Sequence, residues 1–211
     1  MEVIPSINEE NLEGIKEKFK IVEKIGAEWA QFDFSDGTFG ERKVFINPED
    51  FKEINSKIKI EIDFMVQEPE KKILPWLLTG KIKRAIFHLE TLSDIELIKR
   101  ICLENGVEPG ISILFSTGNE MIFPFLKEFN FFQVLAVSPG FSGQNFKQET
   151  IEKIKFLREN ISDDKIIEVD GGINEETARS AKEAGVNILV SSSFIFNNPD
   201  PFFAYKKLSE I

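Results

Sequence analysis

Cysteine is nearly absent from this 211-residue chain. Cys102 stands alone, which excludes a disulfide scaffold, and there is no paired-cysteine motif. Histidine is as scarce. With His88 the single one, no site that needs two histidines can form, and a Ser-His-Asp arrangement lacks partners. No apolar run approaches the roughly 20 residues of a membrane helix. The opening Met1-Glu2-Val3 has neither the basic nor the apolar region of a signal peptide. Both observations point to a cytoplasmic protein with no membrane partner. Positive charge is in deficit, 26 Lys and Arg against 36 Asp and Glu, for a net charge of −10. Broad binding to nucleic acid or anionic lipid is thereby excluded, although one local site can still take a small anion. Walker motifs, linkers, low-complexity stretches and strong short repeats are lacking too.

What is present is ordinary for a globular enzyme: 42% hydrophobic and 29% charged residues. Folded as one unit, a chain of this length buries about 70% of its unfolded surface. Short strand-like runs alternate with longer helix-like ones. Val3–Pro5, Trp29–Phe34, Ile58–Phe64, Ala85–Leu89, Ile111–Phe115, Phe131–Val137, Ile166–Asp170 and Asn187–Ser191 read as strands. Between them, Leu12, Ile15, Phe19 and Val22 share one helical face behind an Asn8 cap. Ser93 to Glu96 forms a capping box, and Met121–Phe129 and Pro201–Leu208 read as helices. Asn174 caps a helix closed by Gly185. Eight strand-plus-crossover units predict parallel strands and a single (β/α)8 TIM barrel over residues 1–211. A doubly wound open sheet is the alternative.

In such a barrel alternate side chains point inward, and active sites lie at the C-terminal strand ends. Several strands here carry one apolar and one polar phase. Gln31, Asp33 and Ser35 oppose Ala30, Phe32 and Phe34; Glu61 and Asp63 oppose Ile60, Ile62 and Phe64; Glu168 and Asp170 oppose Ile167 and Val169; and His88 opposes Phe87 and Leu89. With the apolar phases against the helices, the polar ones converge at one mouth. Carboxylates gathered there repel one another unless a cation or a shared proton relieves them. Glycine-rich segments follow strands six and seven, Ser138 to Gln144 and Asp170 to Asn174, and Ser191-Ser192-Ser193 follows strand eight. Glycine lets backbone N–H groups approach an anion, and the loops after strands seven and eight are a common phosphate site in this fold.

These pieces resemble the ribulose-phosphate 3-epimerase family. In order they are Pro5-Ser6-Ile7, Asp33 to Phe39, Asp63 to Val66, His88-Leu89-Glu90, Pro139 to Phe146, and Glu168 to Ile173. The resemblance implies a ribulose-phosphate-binding barrel, an isomerase of carbohydrate metabolism and the pentose phosphate pathway that interconverts D-ribulose 5-phosphate and D-xylulose 5-phosphate. Asp33 and Asp170 match the catalytic acid and base at C3, beside a divalent metal that stabilises the enediolate. Substrate contacts map to Ser6, Met65, Gly140, Ser142, Gly143, Gly171, Gly172, Ser192 and Ser193, with His88 a candidate donor to a substrate hydroxyl. The family's two metal-ligating histidines are Gln31 and Asp63 here. The expected metal set is therefore Gln31, Asp33, Asp63 and Asp170, all oxygen donors, suited to Mg2+ or Mn2+ rather than Zn2+. Two methionines usual near the substrate are Ser35 and Leu135, the glycine before the last-loop serine is Ser192, and the stretch after Phe39 departs from Val-Pro-Asn. A related isomerase acting on another sugar phosphate, and a non-catalytic sugar-phosphate binder without metal, are the other readings. Lys/Glu-rich helical faces read as solvated. Most of the Phe-rich stretch Phe123, Phe125, Phe129, Phe131 and Phe132 reads as core, leaving part of it for a homo-oligomer contact. Cys102 reads as packing rather than nucleophile.

Overall fold

The computed structural model describes residues 1–44 and 46–211. Eight strands close into a barrel in chain order: β1 Glu2–Ile7, β2 Trp29–Ser35, β3 Lys59–Met65, β4 Ile82–His88, β5 Glu108–Leu114, β6 Phe131–Leu135, β7 Ile166–Asp170 and β8 Ile188–Ser191. Every neighbouring pair is parallel, including β8 with β1. Helices occupy the crossovers: α1 Leu12–Ile25, α2 Pro48–Phe51, α3 Leu74–Leu77, α4 Ile95–Glu104, α5 Asn119–Ile122, α6 Glu149–Asn160, α7 Glu175–Ala184 and α8 Ser193–Phe196, with α9 Pro201–Ser209 after the last. The predicted barrel is the one that forms.

The two phases of each strand separate as their chemistry requires. The outward phase, including Phe32, Ile62, Phe87, Val134, Val169 and Leu189, packs with Ile15, Phe19 and Val22 of α1, Ile98 of α4 and Leu157 of α6 in one continuous core. On the β2–β3 side Trp76 sits among Phe34, Phe51 and Phe32, with ring centroids 4.7, 5.5 and 5.6 Å away. Inside the barrel a smaller apolar cluster, Ile4, Ile86, Phe131, Ile188 and Val190, closes the lower part. At the mouth the polar inward positions stand beside a third apolar cluster, Met65, Leu135 and Val137.

Three local readings change. The cap of α1 is Asn11, whose side chain accepts from the Gly14 amide; Asn8 instead turns toward Ser6 and Arg42. Asp94, not Ser93, caps α4 by accepting from the Leu97 amide; Ser93 donates to Glu70 across the loop. The helix expected over Met121–Phe129 is one turn of α5 followed by a 3-10 turn at Phe123–Phe125. Pro124 lacks the N–H that would carry the ladder onward. No described helix is long and apolar enough to cross a membrane.

Candidate active site at the barrel mouth

Parallel register brings the polar phase to one level. Asp33 of β2 lies opposite Asp63 of β3. Leu135 of β6 lies opposite Asp170 of β7, and β8 closes the ring back to β1. One oxygen each from Asp33, Asp63 and Asp170 falls within 4.8 Å of the others. Asp63 is fully buried, and its Oδ2 has no hydrogen-bond partner. Three convergent carboxylates and an orphaned oxygen fit a hard divalent cation that takes oxygen ligands.

Without a cation such a cluster resists ionisation. Burial, then repulsion from Asp63, pushes the Asp33 carboxyl up to about 6, against the pull of Gln31, Arg42 and Ser6. Burial, then the charges of Asp33 and Asp63, holds Asp170 well above the usual carboxylate range. His88 pairs its Nε2 with Asp63 Oδ1 at 3.0 Å. Burial lowers the affinity of that imidazole for a proton, but Asp63, Glu90 and Asp33 together raise its pKa.

A mouth cavity opens above the aspartates. It is lined by Asp33 and Asp170, by Met65, and by the Gly140, Ser142 and Gly143 loop after β6. Gly171–Gly172 after β7 and Ser192–Ser193 after β8 complete its rim. The rim needs glycine where it turns: Gly143, Gly171 and Gly172 have φ of 86°, 102° and 67°. A Cβ on Gly172 would stand 2.4 Å from the Phe146 amide nitrogen.

The remaining predicted residues lie beneath the cavity instead of on its wall. Ser6 donates to Asp33 Oδ1 at 3.1 Å and so acts on the aspartate. His88 is wholly buried with its Nε2 on Asp63 Oδ1, while its Nδ1 has no hydrogen-bond partner among the described residues. Gln31 lies there as well. Its amide nitrogen, not its oxygen, faces the carboxylates, at 2.7 Å from Asp33 Oδ1 and 2.9 Å from Asp170 Oδ2.

Two residues escaped the sequence reading. Gln133, in the polar phase of β6, bonds Glu168 at 3.1 Å and reaches the Gln31 carbonyl. Arg42 is 5% exposed and donates to Asn8 Oδ1 at 2.7 Å, while Asn8 donates to Ser6. Its only signal in the sequence is the departure after Phe39.

The structure resembles 3-hexulose-6-phosphate synthase from Salmonella typhimurium, with a TM-score of 0.73 at 14% identity over 100% of this chain and 97% of that one. It also resembles a thiamine phosphate pyrophosphorylase from Pyrococcus furiosus, with a TM-score of 0.68 at 15% identity over 99% and 93%. Identities this low speak for the barrel alone. Sequence likeness is more specific. A ribulose-phosphate 3-epimerase of Chlamydia muridarum is 33% identical over 92% of this chain and 87% of its own length. One of Bacillus subtilis is 29% identical over 100% and 98%. The sequence model of the ribulose-phosphate 3 epimerase family matches residues 2–196, and the chain belongs to that family.

Proposed function

We propose that this protein is an epimerase that interconverts D-ribulose 5-phosphate and D-xylulose 5-phosphate by moving a proton at C3. The observation that carries the reading is the pair Asp33 and Asp170. They reach the floor of one cavity from β2 and β7, and both are held above the ordinary carboxylate range. Epimerisation needs one group that removes the C3 proton and another that returns a proton from the opposite face. The starting enzyme must therefore hold one of the two ionised and the other protonated. Mutual repulsion supports that state, because two crowded carboxylates share a single proton more readily than they lose both. Reversal exchanges their roles.

The substrate's phosphate belongs at the glycine rim, where Gly143, Gly171–Gly172 and Ser192–Ser193 offer backbone N–H groups and hydroxyls. That leaves C3 over the aspartates, beside Met65. Asp33, Asp63 and Asp170 are the residues that would hold a divalent cation, Mg2+ or Mn2+ by their donor chemistry. When bound, the cation supplies positive charge where the enediolate oxygens become negative. Ser6 and Gln31 orient Asp33 from below.

The test is NMR of D-ribulose 5-phosphate with the protein in D2O, with Mg2+ or Mn2+ and then with chelator. Deuterium at C3 and appearance of xylulose 5-phosphate are expected, both reduced by chelator. Absence of exchange under every condition would refute the reading. Asp170→Asn and Asp33→Asn are each expected to lower kcat by about 10²–10⁴-fold while leaving the protein folded. Full turnover in either variant would remove that residue from the acid/base pair.

A further inference from the structure

Gln31 occupies a place where the resemblance predicts a metal ligand, and its hydrogen bonds run in the opposite sense. Its amide nitrogen donates one N–H to Asp33 Oδ1 at 2.7 Å and the other to Asp170 Oδ2 at 2.9 Å. Its own oxygen accepts from Gln133 Nε2 at 3.4 Å. The same Gln133 nitrogen donates to Glu168 Oε1 at 3.1 Å, and Gln133 Oε1 accepts from Ser112 at 2.6 Å. The run is therefore continuous from Ser112 to the two aspartates. Gln133 keeps its oxygen on Ser112 and its nitrogen toward Glu168 and Gln31, and so presents an N–H to the Gln31 oxygen. Turning Gln31 to present its oxygen upward would set two amide nitrogens against each other. It would also take away the two N–H groups that Asp33 Oδ1 and Asp170 Oδ2 now accept, in a place where all three side chains are buried.

We propose that Gln31 is not a metal ligand but a clamp: a positioning residue that holds the acid and base carboxylates at fixed separation, with its orientation locked by Gln133. The inference rests on the acid/base reading above and deepens it. The clamp grips Asp33 by Oδ1 and Asp170 by Oδ2. Among the described residues no side chain or backbone group takes Asp33 Oδ2 or Asp170 Oδ1, and both aspartates line the cavity. One oxygen of each is thus left for proton transfer or a cation. Two N–H dipoles also offset part of the repulsion that would otherwise splay the pair. In this chain the spacing of acid and base does not wait for a metal.

Three measurements on the full chain test this. The first is the Gln31 side-chain amide in 15N–1H NMR, assigned by its loss in Gln31→Met. Its two protons are expected to exchange slowly with solvent, to persist when Mg2+ is added, and to lose protection in Gln133→Met. Broad movement of that signal on adding Mg2+, as the amide turns to offer its oxygen, would overturn the clamp. The second is Mn2+ binding followed by EPR. Gln31→Met and Gln133→Met are expected to keep the wild-type dissociation constant within about threefold, whereas loss of a ligand weakens it about tenfold or more.

The third is kinetics with ribulose 5-phosphate. Either variant is expected to lower kcat about 10–100-fold with little change in KM, and the double variant should be no worse than one of them. Full kcat in Gln31→Met, which can neither donate to the aspartates nor ligate through oxygen, would overturn the clamp. If the wild type shows the protected amide but no exchange at C3, the clamp stands and the catalytic reading falls. If exchange is present and the amide is unprotected, the reverse holds.

Discussion

Cys102 shows how burial decides the chemistry of one side chain. It is fully buried on α4, and desolvation pushes its thiol up to about 12. The thiolate is the reactive form, so the native protein is expected to ignore a thiol reagent such as DTNB and to release one equivalent of chromophore on unfolding. Rapid native-state labelling would contradict that burial. The sequence already placed Cys102 among apolar neighbours, so its inertness was legible. Asp33 and Asp170 were legible too, because strand period and strand-end position put them in one phase. Gln31 was legible as a member of the site but not in its role. An amide can donate or accept, and which it does here depends on Gln133, 102 residues away. His88 was legible as an inward residue but its neighbour was not. Its strand phase predicts an inward side chain, but only the register of β3 against β4 brings Asp63 to its Nε2. Arg42 carried no periodic signal at all, since it lies in an irregular loop.

At the scale of elements, the strands were read well because each is one run of alternating phases, whereas short helices were read less well. The Pro124 turn and the caps Asn11 and Asp94 depend on which of several Asn, Ser and Asp side chains reaches a free amide first. The β7–α7 junction is the case where sequence and structure coincide most closely. Asn174 accepts from the Thr177 amide while Thr177 accepts from the Asn174 amide, a reciprocal cap that pins the start of α7 immediately after Gly171–Gly172. Gly172 is the weak point of that junction. Its φ of 67° disfavours any side chain, and a Cβ would press on the Phe146 backbone. Gly172→Ala is expected to cost about 1–3 kcal/mol and to lower the melting temperature by about 2–10 °C. Because the strain falls on the cavity rim, it should also weaken binding of inorganic phosphate, read by calorimetry. Unchanged melting and unchanged phosphate affinity together would mean that the loop can move aside freely.

At the scale of the whole molecule, the barrel axis is a column of ionisable groups, and their sum sets the pH dependence of stability. Burial pushes Glu61 up to about 7 even beside Arg84. Burial and the charge of Glu61 raise Glu168 well above its ordinary value, and Asp33, Asp170 and His88 are raised as well. A raised group keeps its proton in the folded state after the unfolded chain has lost it. The stability it contributes is present below its ordinary pKa and is lost as pH rises through the folded value. For Glu61 that window runs from 4.5 to about 7, for Asp33 from 3.8 to about 6. In chelator, the melting temperature is therefore expected to fall between pH 5 and pH 8, by about 5 °C or more. Mg2+ should flatten the slope by favouring the ionised aspartates, and a melting temperature that rises over that range would contradict the assignment. The column is also unevenly compensated along its length. At its base Arg84 lies over Trp29 and Phe131, 4.5 and 3.9 Å from the ring centroids, and pairs with Glu61 at 2.8 Å and Glu108 at 2.9 Å. That cation is covalently part of the wall and cannot leave. At the top three aspartates meet one imidazole. Fixed charge is thus matched at the base and gathered at one sign at the top, so a divalent cation added to the folded protein is expected to settle at Asp33, Asp63 and Asp170 and to raise the melting temperature.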